Sequence, residues 1–223
     1  MDLVELTPNL AFLRFPVGHV YLWHDAEGVA VIDSGLPGSE AGIGSAVRAL
    51  GAELTDVHHL VLTHGHEDHA GGAAAIAGWG AVEVCAHAAD AAVVRGLAQP
   101  PVPVLSGWEQ QLWNDVHAGM PSVAVPAARV DRELAEGDVL PFAGGAHVLE
   151  VPGHTPGSIA LHLPEHGVLF TGDTVARGPG GDVMLGVFNS DPARAGQSMR
   201  RQQELGNVRI ACFGHGEPAL NGL

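Results

Sequence analysis

Lysine is absent from the 223-residue chain, so its ten basic residues are all arginine, set against 25 Asp and Glu for a formal charge of −15. A nucleic-acid binder needs a basic stripe that releases counterions from phosphate, and an acidic surface of this kind repels it; nucleic acid is excluded as a partner. Cysteine is nearly absent too. Cys85 and Cys212 lie far apart and in no C-x-x-C pair, which leaves them as two buried thiols rather than a zinc or redox motif. Long hydrophobic runs are missing: the longest uncharged one, 70–82, is mostly Ala and Gly and falls short of the roughly 18 residues of a membrane span. Asp2 and Glu5 stand where an export signal would carry positive charge and then an apolar stretch, so a soluble, cytoplasmic protein is expected. Charged residues are only 16% against 46% hydrophobic, a balance that excludes intrinsic disorder. No linker, low-complexity tract or short repeat interrupts the chain, and a single domain over 1–223 is expected.

Short runs rich in Val, Leu and aromatics, bounded by Pro, Gly or Asp, predict strands over 10–15, 17–23 and 28–33 as an antiparallel meander. A helix is predicted over 39–50, with Ser39 as N-cap and Gly51 as its stop. The run V-H-H-L-V-L-T over 57–63 reads as a buried strand, and a second helix follows over about 70–76. A strand over 81–87 and a short helix over 89–96 come next. Three prolines in 99–105 rule out regular structure there, and 108–120 reads as a helix that carries Trp108, Trp113 and Met120 in a lid-like insertion. The second half repeats this grammar: strands over 147–151, 158–163 and 167–171, a Gly-rich loop, a helix over 191–205 and a strand over 208–213.

What is abundant is histidine. The chain has 14 His, and imidazole is the commonest metal ligand. At the end of the 57–63 strand stands T-H-G-H-E-D-H, which places His64, His66, Asp68 and His69 in one turn. In an extended turn His64 and His66 point the same way, whereas Asp68 and His69 enter the next helical turn and face elsewhere, so one loop can serve two metals. Three more ligand types close strand-like runs beside glycine: His154 in V-P-G-H-T-P-G-S, Asp173 in F-T-G-D-T and His215 in F-G-H-G-E-P. Taken together they fit two zinc-like ions held by nitrogen and oxygen without thiolate, and a carboxylate such as Asp173 suits the bridge between them. The glycines after V-A-V-I-D do not make a dinucleotide site, because the G-x-G-x-x-G spacing is absent and Asp33 occupies the turn. The remaining His read as surface or core residues, with His19 the exception.

H-x-H-x-D-H followed by G-H-T-P-G, T-G-D and a terminal G-H-G resembles the metallo-β-lactamase-fold hydrolase superfamily over nearly the whole chain. The resemblance implies a four-layer αββα sandwich, two mixed sheets with helices on the outer faces and a metal site at one edge. It implies that His64, His66 and His154 hold one divalent ion and Asp68, His69 and His215 a second, with Asp173 bridging; zinc is the default and manganese or iron alternatives. V-I-D-S-G matches the family's D-T-G, which makes Asp33 a carboxylate that orients a ligating His. The implied chemistry is attack by a metal-bridging hydroxide, with Asp68 orienting the nucleophile and shuttling its proton.

Substrate class follows by exclusion. Zinc β-lactamases of this fold place Cys or Ser where Asp173 stands, which points to the glyoxalase II-like and lactonase-like branch. The basic groups that glyoxalase II uses for glutathione have no lysine counterpart here, and the lone Tyr21 lies far from the position after the bridging Asp where lactonases carry theirs. A small ester, lactone or thioester is the expected substrate. His19, Trp113, Arg177, Met184 and Phe188 are candidate pocket residues; Arg177 is a candidate for a substrate anion. The protein is expected to act alone or as a homodimer. An iron-dependent sulfur dioxygenase, using His64, His154 and Asp173 alone, is the alternative.

Overall fold

The computed structural model describes residues 1–119 and 124–223. Two mixed sheets face each other. Strand β1 (Asp2–Thr7) opens an antiparallel meander with β2 (Leu10–Arg14), β3 (Val20–Asp25) and β4 (Gly28–Ile32). From there the chain crosses over through helix α1 (Glu40–Ala49) and continues the sheet in parallel with β5 (Val57–Leu62), β6 (Glu83–His87) and β7 (Arg132–Leu134), giving seven strands in sequence order. Antiparallel neighbours need only tight turns, but parallel neighbours need a crossover, and helices α1, α2 (Glu67–Ala70), α3 (Ala73–Ile76) and α4 (Ala91–Val94) supply it. The second sheet has the order β14-β11-β10-β9-β8. Its members are β8 (Val139–Leu140), β9 (Ala146–Glu150), β10 (Ile159–Leu163), β11 (Val168–Phe170) and β14 (Ile210–Cys212). Helix α5 (Gly107–Gly119) and a small hairpin of β12 (Val175–Arg177) and β13 (Val183–Leu185) stand apart from both sheets, and α6 (Pro192–Gln203) completes the set.

Period-two alternation divides the core into layers. In β4 and β5, Val29, Val31, Leu60 and Leu62 pack outward with Ile43, Val47 and Ile76 of α1 and α3. Ala30, Ile32 and Val61 face the other way and meet Val148, Leu161 and Phe170 of the second sheet. On the far side Val151, Ala160 and Leu169 pack with Leu205, while Met199 of α6 lies against Ala211 and Phe213. The result is the expected αββα order, and a strand buried on both faces has to read as a continuous apolar run.

Several local expectations are corrected. The helix expected over about 70–76 is two single turns, α2 and α3, separated at Gly71–Gly72, where a side chain on Gly72 would meet the Ser34 backbone. Ser39 stands at the N-cap of α1 without a capping side-chain hydrogen bond. Strand β1 and the short strands β7 and β8 have no sequence signal, and the Gly-rich loop contains the β12–β13 hairpin. Met120, placed in the lid-like helix by sequence, lies outside the described residues. No helix among the described residues is long and apolar enough to cross a membrane.

Candidate metal centre

Strand β5 ends at Leu62, and after Thr63 the turn delivers His64 and His66 to the edge between the sheets, while α2 carries Asp68 and His69. The loops after β9 and β11 bring His154 and Asp173 to the same edge, and the loop after β14 brings His215. All seven residues expected as ligands converge. His66 Nδ1 lies 3.1 Å from His64 Nε2 and 2.9 Å from His154 Nε2. On the other side, His215 Nε2 is 3.2 Å from Asp68 Oδ2, and His69 Nε2 is 3.6 Å from the same oxygen. Asp173 stands between the two sets: Oδ1 is 3.2 Å from His69 Nε2, and Oδ2 is 3.1 Å from His215 Nε2 and 3.6 Å from His154 Nε2.

The hydrogen bonds behind this cluster fix which nitrogen each ring presents. Asp33 accepts from the Thr63 backbone N–H at 2.7 Å and from the Thr63 hydroxyl at 2.8 Å, and its Oδ2 lies 2.8 Å from His69 Nδ1. A carboxylate only accepts, so His69 donates from Nδ1 to Asp33 and turns Nε2 inward to the cluster. Thr63 gives its single proton to Asp33 and must accept from His64 Nδ1, 3.1 Å away. The Val187 carbonyl does the same for His154 Nδ1, also at 3.1 Å. His64 and His154 therefore both present lone pairs to His66 Nδ1, which has one proton at most and cannot satisfy both. His69 Nε2 and Asp173 Oδ1 are likewise buried without a hydrogen-bond partner. Three nitrogens converging on one point, and a second set rich in carboxylate, match the donor chemistry of bound cations.

Protonation follows the same division. Burial holds His64 and His66 below the usual imidazole range and takes His154 down to about 3, so this set is neutral. Burial also opposes charge on His69 and His215, but Asp173 and Asp68 outweigh it, raising His69 well above its ordinary value and His215 to about 10. Burial likewise disfavours the charged Asp68 and Asp173 carboxylates, yet these imidazoles hold both below the carboxylate range. Protons on His69 and His215 thus balance carboxylate charge where a cation would otherwise do so.

Asp90 carries no sequence signal beyond being one more acidic residue before a short helix. It is buried, and it joins the two ligand loops: Oδ2 accepts from the Gly65 N–H at 2.9 Å and the Thr155 hydroxyl at 2.7 Å, and Oδ1 accepts from the Gly157 N–H at 2.9 Å. Any side chain at position 157 would overlap its carboxylate. Gly214 has the same role beside His215, because a Cβ there would fall on Asp173 Oδ1 and His69 Cε1.

A cleft of about 350 Å³ opens over His66, Asp68, His154, Asp173 and His215. Val17, Leu112, Trp113, Val116 and Phe188 give it an apolar wall. Helix α5 buries none of its residues, yet it is tied to the loop opposite, where Glu109 Oε1 accepts from the Phe188 N–H at 3.1 Å and the Trp113 and Phe188 rings meet edge to face at 5.0 Å. Of the pocket residues expected from sequence, Trp113 and Phe188 line the cleft. Arg177 does not: its guanidinium is held by the Gly181 and Pro218 carbonyls at 3.0 and 2.9 Å. Met184 is partly exposed on the β12–β13 hairpin and lies outside the cleft. His19 sits behind His215, its backbone N–H donating to the Gly214 carbonyl at 2.9 Å and its ring 6.5 Å from that of His215. The Tyr21 hydroxyl is buried and donates to the Phe213 carbonyl at 2.8 Å, so it supports the β14 end from beneath.

Comparison with known proteins agrees with this architecture. The chain is 28% identical over 220 residues to a hydroxyacylglutathione hydrolase of Rhodobacter capsulatus, covering 98% of this chain and 69% of that protein. It is 35% identical over 170 residues to an acyl-coenzyme A thioesterase of Gallus gallus, covering 70% of this chain and 55% of the relative. The chain thus spans between about half and two thirds of the length of such relatives. A crystal structure of a metallo-beta-lactamase family protein from Thermus thermophilus superposes with a TM-score of 0.72 at 26% identity, over 97% of this chain and 76% of that one. The model of the metallo-beta-lactamase superfamily matches residues 13–215, and with the αββα order and the converging His–Asp cluster already described, the chain belongs to that superfamily.

Proposed function

We propose that the protein is a dinuclear metal-dependent hydrolase of small acyl esters, thioesters or lactones. The observation that carries this reading is the pair of three-residue sets, His64–His66–His154 and Asp68–His69–His215, with one carboxylate, Asp173, facing both. The first set would hold one divalent ion and the second set another, and the donors, imidazole and carboxylate without thiolate, suit zinc, with manganese or iron also compatible. When bound, such ions lower the pKa of water toward about 7 and polarise a carbonyl oxygen.

The chain's own residues do the rest. Asp68 lines the cleft beside His215 and, unlike Asp173, is not shared between the two sets, so its carboxylate orients the attacking water and accepts its proton. Asp33, Thr63 and the Val187 carbonyl hold three imidazoles in a single tautomer, which removes reorganisation from the reaction. Leu112, Trp113 and Phe188 receive the acyl group and exclude water from it. Among the described residues no arginine lines the cleft, so an apolar acyl portion is favoured over a charged one. The names of the two relatives, both thioester hydrolases, favour a thioester within that class.

The test is metal analysis followed by a substrate panel. Two equivalents of divalent metal per chain and hydrolysis of acyl thioesters or esters are expected. One equivalent of iron, with oxygen consumed in the presence of a persulfide, would replace this reading with the sulfur dioxygenase alternative. Full occupancy without turnover of any ester, thioester or lactone would leave metal binding without the proposed catalysis.

A further inference from the structure

A second group of metal-ligating side chains lies away from the His–Asp centre and takes no part in the proposed hydrolysis. His59 on β5 is the register partner of Glu83 on β6, and Cys85 follows two residues later on the same face. That face is the one turned toward the second sheet, where Cys85 is fully buried and the His59 ring lies 5.5 Å from that of Phe142. Five residues of extended chain separate His59 from His64, roughly 16 Å at about 3.3 Å per residue. The two places are therefore distinct.

We propose that His59, Glu83 and Cys85 form a further metal site that takes a thiophilic divalent ion of the zinc type. His59 Nδ1 lies 3.4 Å from Glu83 Oε2, and Cys85 Sγ lies 3.5 Å from the same carboxylate oxygen. Metal–ligand bonds of about 2.3 Å to sulfur and about 2.0–2.2 Å to nitrogen and oxygen, set at tetrahedral angles, require edges of roughly 3.3–3.6 Å between donors. Both distances already fall in that range, and all three donor atoms lie within 4.8 Å of one another. His59 Nδ1 is buried and makes no hydrogen bond. The Glu83 side chain is 38% exposed, which leaves an entry path and a fourth position for water. Binding forms the sulfur–metal bond and releases the Cys85 proton to solvent. Thiolate, carboxylate and divalent ion then sum to zero, which the neighbouring Arg132 guanidinium tolerates. Sulfur among the three donors suits a thiophilic ion and disfavours a hard cation such as magnesium, which takes oxygen ligands.

This site is independent of the hydrolase reading, and cobalt(II) separates the two, because the His–Asp centre contains no sulfur. The full chain, stripped of metal, is titrated with cobalt(II) while the near-ultraviolet region is followed for a thiolate-to-cobalt charge-transfer band. The expected result is such a band, competed away by zinc, together with one more equivalent of bound metal than a Cys85→Ser variant retains. Hydrolytic activity at saturating metal should be the same in that variant as in the parent chain. Glu83→Gln, at a partly exposed position, is the second variant: it should keep its fold by circular dichroism and lose at least tenfold in cobalt affinity at this site. Absence of the band after the other sites are filled, or its persistence in Cys85→Ser, would overturn the proposal; persistence would assign the sulfur to Cys212.

Discussion

Asp90→Ala removes the carboxylate that joins the loop carrying His64 and His66 to the loop carrying His154. Three donors lose an acceptor: the Gly65 and Gly157 backbone N–H groups and the Thr155 hydroxyl. Thr155 keeps the Ser158 hydroxyl at 2.8 Å, so the buried Gly157 N–H and the part-buried Gly65 N–H are left unmet. At about 1–3 kcal/mol each, the folded state should lose about 2–6 kcal/mol, less whatever a water entering the vacated space restores. For a chain of this length that is a fall in melting temperature of roughly 5–20 °C. The variant Asp90→Asn keeps one carbonyl oxygen for Gly65 and Thr155 but turns an amide N–H toward the Gly157 N–H, so it should lose about half as much. The two loops carry the whole His64–His66–His154 set, and loss of their alignment should weaken metal binding at that set by roughly 10–100-fold. Thermal melts of metal-free protein measure the first effect, and competition against a chelator of known affinity measures the second. A variant that melts early yet holds metal as tightly as the parent chain would show that Asp90 supports only the fold, and the reasoning from loop alignment would fail.

Asp68→Asn should lower kcat by about 10²–10⁴ with little change in KM once metal content is confirmed equal; matched changes in both would assign Asp68 to binding instead. Gly214→Ala should give folded protein with reduced metal content, since its methyl group displaces Asp173 and His69 together; full occupancy would show that the β14 loop shifts freely. Trp113→Ala should raise KM for longer acyl chains more than for acetyl substrates, and equal effects on both would remove Trp113 from acyl recognition. Metal binding should release protons: the facing Asp173 and Asp68 carboxylates outweigh burial and raise His69 well above the usual imidazole range and His215 to about 10, and both must be neutral to ligate. Affinity should therefore rise with pH through neutrality, and calorimetry in buffers of different ionisation enthalpy should read about two protons per chain at about pH 6, with about one more near pH 8 from bound water; no release at about pH 6 would refute the assignment of His69 and His215 as ligands.

Local order is most legible where one physical requirement dominates. The Val, Leu and Ile of 28–33 and 57–63 foretell strands, and the glycine after Leu50 marks the end of α1. The helix after the His cluster reads as continuous because a run of alanines favours helix, whereas close packing of Gly72 on Ser34 divides it. Strands β7 and β8 are three and two residues long, too short to show a period, and they exist because neighbouring strands offer them a ladder. Arg177 shows the limit for side chains. Composition offers it as an anion ligand, and nearby backbone carbonyls claim its guanidinium instead.

The chemistry of the centre is written in the order of residues: five imidazoles and two carboxylates, each near the end of a strand, with no thiolate among them. The strands are written there as well, because burial on one or both faces leaves a pattern in the chain. Only the packed molecule shows that Asp90 spans two ligand loops, that Cys85 meets His59 and Glu83, and that Trp113 faces Phe188 across the cleft. Each of these joins residues from different elements whose separation along the chain carries no periodic signal. Such contacts are set by how the sheets and helices pack, and packing is a property of the whole fold.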